Sequence, residues 1–215
     1  MARHQYNNPY PSVTQLISQL ASPGLMNWYK VTPLAEINRI SSIGKQIGTD
    51  THLAIHYFID TGKAKIETQY SDEVINALKS FMLFREENPN ILFKNSEIAL
   101  TSNKHLFNGQ IDCLALRNEK DLLGDWKTQN IKEKEKPVIY EEAKIQCSAY
   151  CNLINECQNR DIQEAIIVAL AKDKISYAKY EMGKDEIKGY FNEVFLPLLR
   201  IWYYRHKKDI DNSMN

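Results

Sequence analysis

Asn108-Gly-Gln-Ile-Asp112 and, beyond a polar turn, Leu123-Gly-Asp-Trp-Lys-Thr128 are two short apolar runs, each carrying an acid where a half-buried strand would carry another aliphatic. A carboxylate placed that way needs a cation beside it. Asp125 and Lys127 are two residues apart, so on a strand they share one face while Trp126 points to the other. Arg117-Asn-Glu-Lys-Asp121 reads as the turn of an antiparallel hairpin, which brings Asp112 within a residue or two of the position opposite Asp125. The pattern predicts a divalent-metal site. The hard carboxylate oxygens of Asp112 and Asp125 suit Mg2+ or Mn2+, one ion or two, with the backbone carbonyl of Trp126 as a further ligand.

Outward from this hairpin, Glu97–Thr101, Gln110–Leu116 and Leu122–Thr128 form a meander of three short strands, and Glu97 adds a third acid one strand earlier. Asp-x-Lys or Glu-x-Lys alone means little, since Glu142-Ala-Lys144 and Glu186-Ile-Lys188 lie in helical patterns. The competing explanation is a solvated sheet face, but such a face shows several polar positions per strand rather than one acid each. Upstream, Leu16, Ile17 and Leu20 form an apolar segment stopped by Pro23-Gly24. Helical periodicity follows at about 25 to 42, broken near Pro33, then at 46 to 60 and 72 to 87. Downstream, a charge-rich break at Asn130–Pro137 reads as a mobile surface loop. A helix over 141–157, strands at Ala165–Leu170 and Ser176–Glu181, and a last helix over 185–207 complete the chain. The order predicts an α/β sandwich with a mixed sheet. All 215 residues are expected to form one domain: an extended arm over 1–10, a helical part over 11–90, the sheet and its helix over 91–182, and the closing helix.

Lys plus Arg and Asp plus Glu both number 27, so net charge favours no partner, and any nucleic-acid binding must come from local patches. With no apolar run of about 18 residues and no charged-then-apolar leader, the chain is read as intracellular and cytoplasmic, without a membrane span. Its Lys, Asn and Ile content suits an AT-rich genome such as that of a phage. Four cysteines, at 113, 147, 151 and 157, raise a zinc or iron-sulfur site. Cys147 and Cys151 share a helical stripe with Ala143 and Ile154, however, and no C-x2-C pair exists, so core packing is the better reading.

Pro11-Ser-Val-Thr14, Gly48-Thr-Asp-Thr-His52, Glu97, Gly109-Gln-Ile-Asp112, Gly124-Asp-Trp-Lys-Thr128 and Gln146-Cys-Ser-Ala-Tyr150 occur in that order. Taken as a series, they resemble the motifs of the RecB-like branch of the PD-(D/E)XK nucleases, over roughly residues 11 to 150. The likeness is to phage-type exonucleases and the mitochondrial genome maintenance exonuclease. It implies a restriction-endonuclease-like αβββαβ core with a mixed sheet flanked by helices and a helical N-terminal elaboration. The activity it implies is Mg2+- or Mn2+-dependent exonucleolytic hydrolysis of DNA in replication, recombination or repair. Implied partners are single-stranded DNA or DNA with free ends, together with recombination or replication proteins.

By the same resemblance Glu97 is an accessory metal-binding acid and His52, in Gly-x-x-x-His, helps to hold the metal. Gln146 and Tyr150 line the site, Gln146 on a phosphate oxygen or the Lys127 amine and Tyr150 on the nucleic-acid backbone. Without the resemblance, Tyr150 would cap the core edge and Gln146 would face solvent. Lys127 positions or deprotonates the attacking water, or neutralises the phosphorus centre; sequence leaves these roles open. His56, one turn after His52, raises a two-histidine zinc site, but without the Glu of a zinc protease. Trp28, Tyr29 and Lys30 combine stacking surface with charge as a single-strand channel requires, and could equally be a helix end packed on the core. Two alternatives stand beside the nuclease. One is a catalytically inactive DNA-binding subunit, opposed by the retention of Asp112, Asp125 and Lys127. The other is an iron-sulfur nuclease of the CRISPR-associated type, opposed by the absence of cysteine before Cys113 and after Cys157.

Overall fold

The computed structural model describes residues 6–20, 23–131 and 135–213. Helices α1 (Val13–Ile17), α2 (Pro23–Val31), α3 (Leu34–Thr61) and α4 (Asp72–Glu87) precede strands β1 (Ile91–Ser102), β2 (Phe107–Arg117) and β3 (Lys120–Gln129). Helix α5 (Glu141–Gln158), strands β4 (Ala165–Ala171) and β5 (Tyr177–Met182), helix α6 (Lys184–Gly189), a π-helical turn (Tyr190–Phe195) and α7 (Leu196–Ser213) follow. The five strands stand in the order β1-β2-β3-β4-β5. All neighbours are antiparallel except β3 and β4, which are parallel and joined through α5. The class is α/β, and the run α4-β1-β2-β3-α5-β4 is the αβββαβ order expected.

The hairpin turn is as tight as its sequence suggested. Arg117 pairs with Lys120, and the two residues between, Asn118 and Glu119, both have positive φ, the backbone of a two-residue hairpin that matches strand twist. Each sheet face carries its own core. Leu114, Leu123 and Ile167 face α1, α5 and the C-terminal helices, packing on Cys147, Cys151, Leu153 and Phe195. Cys113, Leu122, Trp126 and Val168 face α3 and α4, packing on Ile55, Phe58, Leu78 and Phe81. Three cysteines are therefore core residues, while Cys157 is exposed at the end of α5.

Several boundaries differ from the sequence reading, each for a local reason. Pro23-Gly24 opens α2 instead of ending a helix, since proline's missing N–H costs nothing in a first turn. Helix α3 runs unbroken through Gly44 and Gly48 because Ile37, Ile47, Thr51, Ala54, Ile55 and Phe58 keep one buried stripe. Strand β1 begins six residues earlier than expected; a register shift between Phe93 and Asn95 hides its alternation. The N-terminal segment is fastened over residues 8–12. Asn108 donates its side-chain amide to Asn8 Oδ1 and to the Tyr10 carbonyl, and its backbone N–H to the Pro11 carbonyl, each at 2.8 Å. Part of the charge-rich break, residues 132–134, lies outside the described residues, as does the start of the arm. No helix among the described residues is long and apolar enough to cross a membrane.

Helix α5 lies very close to β2 at Gly109, where a β-carbon would come within 2.7 Å of Leu153 Cδ2 and 3.0 Å of the Tyr150 ring. Gly109→Ala is expected to lower stability by about 1–3 kcal/mol through overpacking. Adding Leu153→Ala should recover part of that loss, so the pair costs less than the sum of the singles. Urea midpoints of the four proteins measure this, and additive costs would mean that the helix does not bear on Gly109.

Candidate metal centre

The site lies where β2 and β3 part. Their ladder extends from Arg117 and Lys120 to Cys113 and Gly124, and at the next step Asp112 Oδ2 accepts the Trp126 backbone N–H at 2.9 Å. A side-chain carboxylate thus takes the place of a ladder carbonyl and leaves a gap between the strands. The other oxygen, Asp112 Oδ1, is 3.4 Å from His52 Nδ1. His52 arrives from α3, its Nε2 3.2 Å from the Trp126 carbonyl, and its Nδ1 is also 3.7 Å from Glu97 Oε1. His52, Glu97 and Asp112 each offer one ligand atom, all within 4.8 Å of one another. Glu97 reaches this point from an unusual backbone, with φ of 55° in mid-strand. Gln110 Nε2 donates to its carboxylate from the neighbouring strand.

Asp125 and Lys127 extend from β3 on the α5 side, their ion pair spanning 2.6 Å, with Asp125 fully buried and the Lys127 side chain partly exposed. Apart from this pair, neither carboxylate oxygen of Asp125 accepts a hydrogen bond from a described residue. A buried carboxylate left with so few partners is costly unless another cation joins it. Over the pair lies α5, where Gln146 Nε2 donates to Tyr150 Oη at 2.7 Å.

Charge balance follows from these contacts. Burial alone would lower His52, but the Asp112 and Glu97 carboxylates outweigh it and push the imidazole up to about 10, with Lys127 opposing them. Burial would raise Asp112, yet His52, Lys127 and the Trp126 N–H hold it below the usual carboxylate range. Asp125 is pushed up to about 6 by burial, with the Lys127 ammonium pulling against it and Asp112 adding to it. Lys127 is raised, because the carboxylates of Asp125 and Asp112 outweigh its desolvation. The carboxylates thus raise both His52 and Lys127, and the centre favours positive charge.

No family model and no curated protein matches the sequence. Among solved structures, the chain is similar to a phage-related exonuclease from Haemophilus somnus 129PT at 12% identity and TM-score 0.42, covering 94% of this chain and 97% of that one. It is also similar to an alkaline exonuclease from Laribacter hongkongensis at 12% identity and TM-score 0.38, covering 92% and 94%. The same Laribacter enzyme in complex with dAMP matches at 13% and 0.39, covering 94% of each chain.

Of the residues singled out from sequence, the structure brings His52, Glu97 and Asp112 together beside Asp125 and Lys127, with the Trp126 carbonyl bonded to His52. Two expectations need correction. Tyr150, expected on the nucleic-acid backbone, is only 3% exposed and belongs to the core, so it supports Gln146 from behind. His56 turns from the cluster toward Ser96, which removes the two-histidine zinc site. Trp28 and Lys30 lie on α2, outside the cluster; Lys30 is exposed and Trp28 packs on Tyr29 with ring centroids 5.3 Å apart. Gln110 was missed, although its place two residues before Asp112 on the same strand was the signal.

In EDTA, His52 sets a pH dependence whose sign is fixed. Its folded pKa lies above its unfolded value of 6.5, so its contribution is complete below about 6.5 and is lost as pH rises through about 10. Stability of the metal-free protein should fall across that window, with a limiting slope of about 1.4 kcal/mol per pH unit. His52→Gln should flatten the curve. Urea titrations at stepped pH check this, and parallel curves for the two proteins would show that His52 carries no such charge.

Proposed function

We propose that the protein is a divalent-metal-dependent deoxyribonuclease, an exonuclease acting on DNA ends in replication, recombination or repair. The observation that carries this reading is the convergence of His52, Glu97 and Asp112 within 4.8 Å, beside the buried Asp125–Lys127 pair. The donor set suits Mg2+ or Mn2+: carboxylate oxygens dominate, one imidazole joins them, and Asp125 keeps buried oxygens short of partners. Asp112, Asp125, Glu97 and His52 would hold the ion, which when bound neutralises charge on phosphodiester oxygens and lowers the pKa of a coordinated water.

The chain's own groups do the rest. Lys127, kept as an ammonium by its two carboxylate neighbours and partly open to solvent, presents a fixed positive charge to an incoming phosphate. Gln146 spends one N–H on Tyr150 and keeps its second N–H and its carbonyl for a phosphate oxygen or for Lys127. Beyond the centre, exposed Tyr29 and Lys30, with Trp28, offer stacking surface and charge to a single strand. The ordered motif series noted in the sequence supports the same reading.

Purified protein incubated with end-labelled single-stranded and duplex DNA should shorten it from the ends in Mg2+ or Mn2+, and not in EDTA. Asp125→Ala should lower the rate by on the order of a thousandfold, the scale of several kcal/mol that a bound metal supplies. Cleavage that persists in the variant would remove this centre from the reaction, cleavage of circular single strands would make the protein an endonuclease, and binding without cleavage would make it a binding subunit. Separately, Trp28→Ala should weaken single-strand affinity about 5- to 100-fold, the range of one lost base stack, and Lys30→Glu should weaken it with a shallower salt dependence, both with Mn2+ affinity unchanged. Fluorescence anisotropy on a labelled oligonucleotide reads the first and calorimetry the second; unchanged anisotropy would take α2 out of the DNA path.

A further inference from the structure

We propose that His56 and Ser96 are positioning residues: by fixing the backbone just before Glu97, they hold the Glu97 carboxylate in the cation cluster. This rests on the reading of the cluster as a metal centre. His56 follows His52 by one turn of α3 yet contributes nothing to the cluster. Its Nδ1 is instead 2.5 Å from Ser96 Oγ, and its Nε2 is 3.4 Å from Asp60 Oδ2 one turn further on. A carboxylate can only accept, so Asp60 favours the Nε2–H tautomer of His56, which leaves Nδ1 to accept the Ser96 hydroxyl proton. The chain Asp60–His56–Ser96 thereby fastens α3 to β1 at a single residue.

That residue immediately precedes the strained one. A left-handed backbone is unfavourable for a residue with a β-carbon, and nothing in a glutamate side chain favours it. No register shift sits here: Ser96 pairs with Cys113 and Ile98 with Ile111, so the strand keeps step on both sides of Glu97. The inversion is confined to one residue, and its effect is to redirect one side chain. Gln110 Nε2 then clamps the redirected carboxylate at its far end. Strain of this kind persists only where the surroundings over-determine it, and here the surroundings are the Ser96 hydroxyl on one side and the Gln110 amide on the other.

A tie that merely joined a helix to a sheet would affect stability alone. A tie that aims Glu97 must affect the metal, and only through Glu97. Mn2+ affinity, measured by calorimetry without DNA and with each variant shown to be folded by circular dichroism, separates the two. Ser96→Ala and His56→Ala are expected to weaken Mn2+ binding about tenfold, the low end of the loss when a ligand's own supporting hydrogen bond is removed, because this tie acts one residue away from the ligand. Ser96→Thr, which keeps the hydroxyl, should bind as wild type does. In a Glu97→Gln background, Ser96→Ala should cost nothing more. Should either alanine variant fail to fold, Asp60→Ala at the exposed end of the chain is expected to weaken Mn2+ binding about threefold, below the 10- to 100-fold of a direct partner because it acts one bond further out. Wild-type affinity in the single variants, or an equal loss in the Glu97→Gln background, overturns the proposal and leaves the metal centre standing. A wild-type protein that binds no Mn2+ overturns both.

Discussion

One hydrogen bond, from the Trp126 backbone N–H to the Asp112 carboxylate, decides where β2 and β3 stop being a sheet and start being a site. A buried N–H must have a partner, and in a continuing ladder it would be a carbonyl of β2. A carboxylate in that place satisfies the donor equally well and keeps a second oxygen free. The free oxygen turns into the gap, where it meets His52. Opening the sheet and placing the first acid are therefore a single event. On its other edge β3 remains paired with β4 from Leu123 to Gln129, so the strand does not drift when it leaves β2.

The centre is expensive in the absence of a further cation. Among the described residues Asp125 is fully buried with a single ion-pair partner, and the desolvation of such a pair commonly exceeds its attraction. Fold stability comes from elsewhere: from the Trp126, Phe81 and Phe84 rings packed on the α3–α4 side, and from the cysteine stripe of α5 on the other. His52 lies between the carboxylates of Asp112 and Glu97, which draw positive charge toward it. Two acids and an imidazole gathered about one point, beside the buried Asp125, are the ground on which a metal centre is proposed.

Much of this was legible in the residues, because strand alternation is a strict rule. Two acids in adjacent apolar runs, with Lys127 two residues after Asp125, fixed the face, the hairpin and the meeting of the β2 and β3 acids. The long-range partners were less visible. His52 lies 74 residues from the carbonyl it touches, and only a motif series, not periodicity, connected them. Glu97 could be proposed, but not the backbone that delivers it, since a left-handed glutamate leaves no mark on composition. The residues alone placed Tyr150 at the core edge, where it lies, and only the resemblance drew it toward the nucleic-acid backbone; Gly109, which lets α5 come close enough to bury that ring, reveals its purpose only in three dimensions.

The parallel crossover ties these pieces into one geometry. Because β3 and β4 run parallel, the chain has to leave the end of β3 just past Lys127, cross over one face, and return, and α5 is the crossing. Asp125 and Lys127 sit on β3 near that exit, so whatever the first turns of α5 carry is brought over them, and Gln146 is what they carry. The closeness of that helix is set by Gly109 on β2, three residues before Asp112. The strand that opens the sheet is therefore also the one that sets how near the covering helix lies, and a change at either end of the short run from Gly109 to Asp112 must reach the centre from two directions, through the fork and through the helix above it.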